Sequence, residues 1–452
     1  MTPLQRLKRD FENKKVLIMG LGVQGRGIGD AKFLAEIGAK VTVTDLKTKA
    51  ELETSLKQLK GLPISFILGR HRDKDFKNNE VIIRNPAVPK DSRFLKIAKK
   101  AGAQIVMDES LFIRYAPPMN FIGVTGTRGK TTTTILIYEI LKATGRRVFL
   151  GGNILGMATL PLLRKIKAND WAILELSSWQ LQGLADIQFS PQIAVITNIF
   201  PDHLNRYSSM RDYVADKKNI FAFQKKGATL FLNKNQKIMR VFAKEAKQSK
   251  VIWFNHYDLP SNWELKIPGE HNRQNAAVAL RVAQELKIDQ ELTRKVIESF
   301  PGLKYRLEVV AKVKGVTFIN DSTSTTPAAL SVALQAVRQR IILIAGGASK
   351  NLPLKKIAEQ VAKQVKGVVL LEGSGTQEFK RLLRKFGSQR KILGQFKSLN
   401  LAVSRAVKVS ESGDVILLSP GFASFGMFKN EFDRGDQFNK LIKQLVNESK
   451  KK

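Results

Sequence analysis

The stretch FIGVTGTRGKTTTTILIYEIL, residues 121–141, places a lysine and a run of hydroxyls where an apolar strand gives way to a helix. Phosphate loops of the form G-x-x-x-x-G-K-[ST] cradle phosphates on backbone N–H groups, reach the β and γ phosphates with the lysine and hold Mg²⁺ with the hydroxyl. Gly129, Lys130 and Thr131 supply the second half of that form, but Val124 stands where its first glycine belongs and the flexible residue is Gly126. The backbone N–H groups of Gly126, Thr127, Arg128, Gly129, Lys130, Thr131 and Thr132 would face an anion at the positive end of the helix. The displaced glycine changes how the loop turns and leaves the Gly-Lys-Thr chemistry intact. This is a nucleotide-phosphate site by its residues.

A second glycine turn lies in GLGVQGRG, residues 20–27, where Gly20, Gly22 and Gly25 fit G-x-G-x-x-G between an apolar strand and a helix. Asp45 ends the next strand, at the distance where an acid bonds a ribose hydroxyl or a base edge. The pattern fits a diphosphate-bearing nucleotide and leaves open whether that is a nicotinamide cofactor or a sugar nucleotide. Elsewhere, WAILELSSWQL buries Glu175 in an apolar strand, where an unpaired carboxylate is costly. IAVITNIFPDHLNRY runs a strand into Asp202-His203. Glu175 and His203, at the ends of neighbouring strands, could complete a magnesium site, although Glu175 could equally belong to a buried ion pair. The four histidines, His71, His203, His256 and His271, lack the paired spacing of zinc ligands.

These residues need strands and turns to hold them. Short β-branched runs alternate with helical stretches throughout, the pattern of βα units around parallel sheets. KVLIMG, KVTVTD, EVIIRN and AQIVM form a first set; FIGVTG, RVFLGG, WAILEL, IAVITN, ATLFLN and KVIWFN a second; GVTFIND, RIILIAGG, GVVLLEG, KILGQF and DVILLSPG a third. Pro117-Pro118 and Pro301-Gly302 separate them. The expected architecture is α/β with three domains: a Rossmann-like N-terminal domain, 1–116; a central P-loop ATPase-like domain with a parallel sheet, 117–302; and a Rossmann-like C-terminal domain, 303–452.

The chain has 452 residues, 43% hydrophobic and 25% charged, a globular composition. It has no cysteine, which excludes disulfides and thiolate zinc sites and agrees with a reducing cytosol. Neither a signal peptide nor a membrane-spanning run is evident, so a cytoplasmic protein is expected. Lys and Arg number 76 against 39 acids, a net charge of +37. The basic residues are dispersed over amphipathic helices and no nucleic-acid signature accompanies them, so specific nucleic-acid binding is not expected.

GTRGKTTT, GGNI, LELSSWQL, NIFPDHLNRY, GEHNRQNAAVAL, YRLE, INDSTSTTPAAL and LLSPGFASFGMFKNEFDRGDQF follow one another in an order that resembles the Mur ligases, ATP-dependent amide-forming enzymes of peptidoglycan synthesis. The resemblance covers nearly the whole chain, and the family's own loop has the G-T-x-G-K-[ST] spacing. The G-x-G-x-x-G domain and the segment LSPGFASFGMFKNEFDRG point to the members that add D-glutamate to UDP-N-acetylmuramoyl-L-alanine.

The resemblance implies that the first glycine turn holds UDP rather than NAD, with Val23, Gln24, Gly25, Asp45, Lys47 and Asn85 around the sugar nucleotide. It implies ATP on residues 126–132 with Asn272, Arg306 and Asp321. Magnesium would sit on Thr131 and Glu175, and a second ion on His203 and on Lys217, the lysine that the family carbamylates with CO₂. Asn153, Ser177, Thr325, Lys350, Ser424 and Phe425 match positions facing the substrate or the incoming amino acid. Lys130, Lys217, His203 and Lys350 are the implied catalytic set, acting in a monomer through an acyl phosphate. Two departures stand out: Thr323 occupies the place of a common lysine in NDSTST, and Arg128 that of a common asparagine.

Overall fold

The computed structural model describes residues 1–22, 25–202, 206–267 and 269–450. The chain builds three sheets. The first contains β1 (Lys15–Met19), β2 (Lys40–Asp45), β3 (Ile64–Leu68), β4 (Val81–Arg84) and β5 (Gln104–Val106), in the order β3-β2-β1-β4-β5. The second contains β6 (Asn120–Thr125), β7 (Val148–Gly152), β8 (Trp171–Glu175), β9 (Ile193–Ile196), β10 (Thr229–Asn233) and β11 (Lys250–Phe254), in the order β11-β10-β9-β6-β8-β7. Every pairing in these two sheets is parallel.

The central strands are apolar runs buried on both faces, such as Phe121–Val124 and Ala172–Leu174. That is what parallel strands covered by helices on both sides require. In each sheet the strand order reverses beside one strand, β1 in the first and β6 in the second. Crevices for ligands open at such reversals, outside the carboxyl ends of the strands. The two glycine turns follow these two strands.

The third sheet contains β12 (Glu308–Val313), β13 (Val316–Asn320), β14 (Ile341–Ala345), β15 (Val365–Leu371), β16 (Ile392–Phe396) and β17 (Val415–Leu418), ordered β12-β13-β17-β14-β15-β16. It is mixed, because β12 runs antiparallel to β13 through a two-residue turn at Lys314 and Gly315. Both turn residues have positive φ, 48° and 78°, the conformation that matches the twist of a tight hairpin. The expected strand set lacks β12 and β3. Each has an interrupted burial pattern and lies at a sheet edge.

Two compact units result: Met1–Trp263 with Gln274–Ile297, and Glu264–Arg273 with Glu298–Lys452. In the first, one apolar cluster is shared by the first two sheets, with Phe112 and Phe121 meeting edge to face at 6.3 Å and Phe11 and Tyr115 at 6.2 Å. In the second, separate clusters cover the two faces of the mixed sheet. Among the described residues, no helix is long and apolar enough to cross a membrane.

Candidate active site

The loop after β6 keeps only its later amides turned outward: those of Thr127 and Arg128, expected to face an anion, donate instead to the Asn198 carbonyl at 2.8 Å and to Asn198 Oδ1 at 2.9 Å. Gly126 has φ 147° and Gly129 has φ 80°, values that side chains rarely adopt. A Cβ on Gly126 would collide with the Thr197 hydroxyl and one on Gly129 with the Asn275 amide. Gly129 starts the Lys130–Ala143 helix without a side-chain cap, so the first-turn N–H groups stay available to an anion. The end of β9 braces the outer edge. Asn198 Oδ1 accepts from the Arg128 amide at 2.9 Å, and Thr197 Oγ1 donates to the Arg128 carbonyl at 2.7 Å. Thr127 Oγ1 accepts from the Phe200 amide at 2.9 Å and pairs with the Tyr213 hydroxyl at 3.0 Å.

Two lysines converge on this loop. Lys130 Nζ donates to the Gly126 and Thr127 carbonyls, both at 3.1 Å. Lys217, on the Met210–Lys218 helix, donates to the Gly126 carbonyl at 2.9 Å and the Thr125 hydroxyl at 3.3 Å. Lys217 is 1% exposed. Burial first, and then the Lys130 charge, push its amine well below the ordinary lysine range, against the pull of Asp202, Asp216 and Glu175.

Strand register sets Glu175 beside the loop, since Val124 on β6 pairs with Glu175 on β8. Its Oε1 accepts from Asn153 Nδ2 at 2.9 Å, while Oε2 is buried without a hydrogen-bond partner among the described residues. A carboxylate oxygen left over in an apolar wall suits a hard cation, and the Thr131 hydroxyl on the neighbouring helix is of the matching donor type. Among the described residues no group of three His, Asp or Glu side chains could by itself hold a metal. An ion here would therefore depend on phosphate oxygens, as magnesium does beside nucleotides. Ser177 begins the next helix in a capping box with Gln180.

The turn after β1 is organised differently. Gly20, Gly22 and Gly25 have φ of 93°, 66° and 92°. The Asp45 carboxylate accepts from the amides of Leu21 and Gly22, at 2.9 and 3.1 Å, and of Lys47, at 2.9 Å. Asn85 closes the other side by donating to the Gly20 carbonyl at 3.1 Å, while the Lys47 side chain is exposed. Val23, Gln24 and His203 lie outside the described residues.

Arg26, immediately after this turn, was not singled out from sequence. Its Nη2 donates to the Gly152 carbonyl at 2.7 Å, and it lies 3.5 Å from Asp108 and 3.4 Å from Glu109. Gly152 precedes Asn153, the partner of Glu175, so this guanidinium ties the first glycine turn to the strand end beside the Lys130 loop. Asp30 and Asp108 complete the buried cluster. Burial, reinforced by the neighbouring carboxylates and only partly opposed by Arg26, holds both carboxyls well above the usual range. An arginine directly after a glycine fingerprint was the one available signal.

In the second unit the loops after β13, β14 and β17 meet. Lys350 Nζ donates to the Thr325 hydroxyl at 2.8 Å, and the Gly421 amide to the Ser324 carbonyl at 2.8 Å. Ser424 is buried with its hydroxyl unpartnered among the described residues, and Phe425 beside it is 63% exposed. Asp321 accepts from the Leu307 amide at 3.2 Å and from the Ser324 and Ser419 hydroxyls; burial raises it to about 6, against those bonds. Thr323 turns its hydroxyl onto the Tyr305 carbonyl at 2.8 Å, which leaves Lys350 as the cation of this loop cluster from the expected set. Arg306 is exposed, and Asn272 is buried in the first turn of the Glu270–Glu285 helix.

Three family models cover the chain in succession: Mur ligase MurD-like, N-terminal domain, over 14–107; Mur ligase middle domain, over 124–264; and Mur ligase, glutamate ligase domain, over 305–422. The UDP-N-acetylmuramoylalanine–D-glutamate ligase of Roseiflexus sp. (strain RS-1) is 40% identical over 96% of this chain and 99% of that protein. The chain belongs to the Mur ligase family. This Mur ligase is also 36% identical to the ligase of the same name from Borreliella afzelii (strain PKo), over 96% of the chain and 99% of the relative. Among solved structures it resembles UDP-N-acetylmuramate-alanine ligase MurC of Thermotoga maritima, with TM-score 0.62, 18% identity, and 95% and 99% of the two chains covered. It also resembles the MurF ligase of Thermotoga maritima in complex with ADP, with TM-score 0.57, 16% identity, and 97% of each chain covered. These two likenesses establish the α/β fold.

Proposed function

We propose that this Mur ligase joins D-glutamate to UDP-N-acetylmuramoyl-L-alanine at the expense of ATP, through an acyl phosphate. The observation that carries this reading is the loop of residues 126–132 with Lys130 inside it and the half-partnered Glu175 carboxylate on the adjacent strand. The identity to D-glutamate ligases along nearly the whole chain supports this choice of substrates.

A carboxylate resists an amine because its oxyanion is a poor leaving group, so it must first be phosphorylated. The amides of 129–132, which open the helix, would hold the ATP phosphates, and Lys130 would leave its carbonyl partners to follow the transferring phosphoryl group. Mg²⁺ held by Thr131 and Glu175 would draw off charge developing on that group. Asn153, fixed by Glu175, and Ser177 would orient the substrate carboxylate. The glycine turn and Asp45 would keep the UDP end in place, with Lys47 and Asn85 at its margins. In the second unit Thr325, Lys350, Ser424 and Phe425 would receive the acidic amino acid, whose amine displaces phosphate. Asn272, Arg306 and Asp321 would contact ATP.

Lys217 would carry a carbamate. Its ammonium would first give up one proton; the neutral amine nitrogen would then add to the carbon of CO₂ and lose a second, turning a cation into an anion able to support a second Mg²⁺. A buried amine that donates to a carbonyl and a hydroxyl and lies over the Tyr213 ring is placed for that exchange. The division at 116 and 302, a cytoplasmic setting and a monomeric state complete the proposal.

ADP release that requires UDP-N-acetylmuramoyl-L-alanine and D-glutamate together tests the reading, with other amino acids as controls. Hydrolysis indifferent to both substrates, or a product bearing another amino acid, would sink it. Incorporation of ¹³C-bicarbonate into Lys217, read by carbon NMR, tests the carbamate separately.

A further inference from the structure

Arg84 ends β4, one residue before the turn that carries Asn85, and is only 4% exposed. Among the described residues no carboxylate lies within ion-pair distance of it, and burial holds its guanidinium below the ordinary arginine range. A buried cation without a direct counter-charge is costly, and an apolar side chain would fill the same volume more stably. What the guanidinium does instead is reach across to the Ser178–Asp186 helix. Nη1 donates to the Val88 carbonyl at 3.4 Å, pinning the far side of the Asn85 turn. Nη2 donates to Gln182 Oε1 at 3.0 Å and touches Met107 Sδ at 3.2 Å.

Gln182 lies on the Ser178–Asp186 helix and uses both ends of its amide. Its oxygen faces Arg84, and its Nε2 donates to Asp216 Oδ2 at 2.6 Å. Asp216 is next to Lys217 on one helix. A primary amide is the neutral group that can accept from a cation and donate to an anion at once. Arg206 adds a second tie to the same turn, donating to the Ala87 carbonyl at 2.9 Å.

We propose that Arg84, Gln182 and Asp216 are a relay of positioning residues, coupling the Asn85 turn that takes the sugar nucleotide to the helix that sets Lys217 against the phosphate loop. The proposal rests on the ligase reading above. A nucleotide substrate that draws the Asn85 turn inward would pull Arg84, and through Gln182 the Asp216–Lys217 turn. The two substrates would then bind with positive cooperativity within the first unit.

The test is calorimetric titration of the full-length protein with UDP-N-acetylmuramoyl-L-alanine, with and without saturating Mg²⁺ and a non-hydrolysable ATP analogue. In the wild type the analogue should tighten substrate binding about tenfold, within the usual span of coupling between sites. Gln182→Glu sets one carboxylate against another, and the tightening should fall to about twofold or less. Adding Asp216→Asn lets the new amide donate to the introduced carboxylate, which still accepts from Arg84. The double variant should recover the coupling to within about threefold of wild type, a rescue that a general loss of packing would not give. If Gln182→Glu does not fold, Arg84→Met cuts the relay at its other end and should abolish coupling alike.

Full coupling in the single variants, or no recovery in the double, overturns the relay. A wild type that binds the substrate with no coupling removes the relay alone. A wild type that does not bind it at all removes the ligase reading as well.

Discussion

The turns after β1 and β6 begin alike and end as opposites. Each follows a buried strand, and each starts a helix with a left-handed glycine and no side-chain cap, Gly25 in one and Gly129 in the other. The first turn then folds around a carboxylate, Asp45, which takes three backbone amides. The second folds around two lysine amines that share one carbonyl, with hydroxyls and an asparagine bracing the rim. An acid inside a turn stiffens it and discourages a highly charged polyphosphate, while leaving lone pairs for hydroxyls or a base. Amines invite the polyphosphate and can move with it. On the proposed ligase reading the same backbone device would serve holding in one place and transfer in the other, with the side chain at its centre deciding which.

The contrast breaks most sharply at Lys130. Lys130→Ala should lower kcat by about a thousandfold, the scale for losing one preorganised charge at a transition state, with KM for the sugar nucleotide nearly unchanged in initial-rate kinetics. Glu175→Gln keeps the bond from Asn153 but removes the anion; kcat should drop about a hundredfold and half-saturation by Mg²⁺ should shift upward in a metal titration. At the holding turn the pattern should invert. Asp45→Asn should raise KM for the UDP substrate about tenfold with little change in kcat, because it loosens ground-state binding alone. A matched fall in kcat there would erase the distinction.

Gly126→Ala probes the loop's shape without touching charge. It should cost about 2–3 kcal/mol of stability, read from denaturant midpoints, because a Cβ meets Thr197 at a φ that alanine avoids.

The smallest effect lies outside both turns. Asp321 titrates at about 6 in the folded state, above its unfolded value near 3.9. The folded state therefore holds the extra proton, and this contribution to stability is full below about pH 4 and is lost as pH rises through about 6. Asp321→Asn should flatten the thermal midpoint over that interval by a few degrees, as followed by calorimetry.

Much of this was legible in the sequence because glycine and lysine mark positions that backbone geometry demands. Gly126, Gly129 and Lys130 fall where the spacing placed them, and so do the buried central strands. What escaped was tertiary. β3 and β12 lie at sheet edges, where burial is interrupted and no continuous apolar run announces a strand. Arg26 and Arg84 look like surface arginines until the fold brings Asp108, Glu109 and Gln182 to them from distant positions in the chain. Lys217 reads as one more solvated helix lysine, and only resemblance singled it out. Its burial depends on the end of β6 meeting the Met210–Lys218 helix.

The two carbonyls that Lys130 grips have a kinetic corollary. Any anion claiming that ammonium must outbid ligands already attached to the chain, at effectively unlimited local supply. A nucleotide would win through its many other contacts, whereas orthophosphate, small and weakly tethered, would not. Spent phosphate should depart readily and inhibit poorly, so turnover resists slowing as inorganic phosphate accumulates.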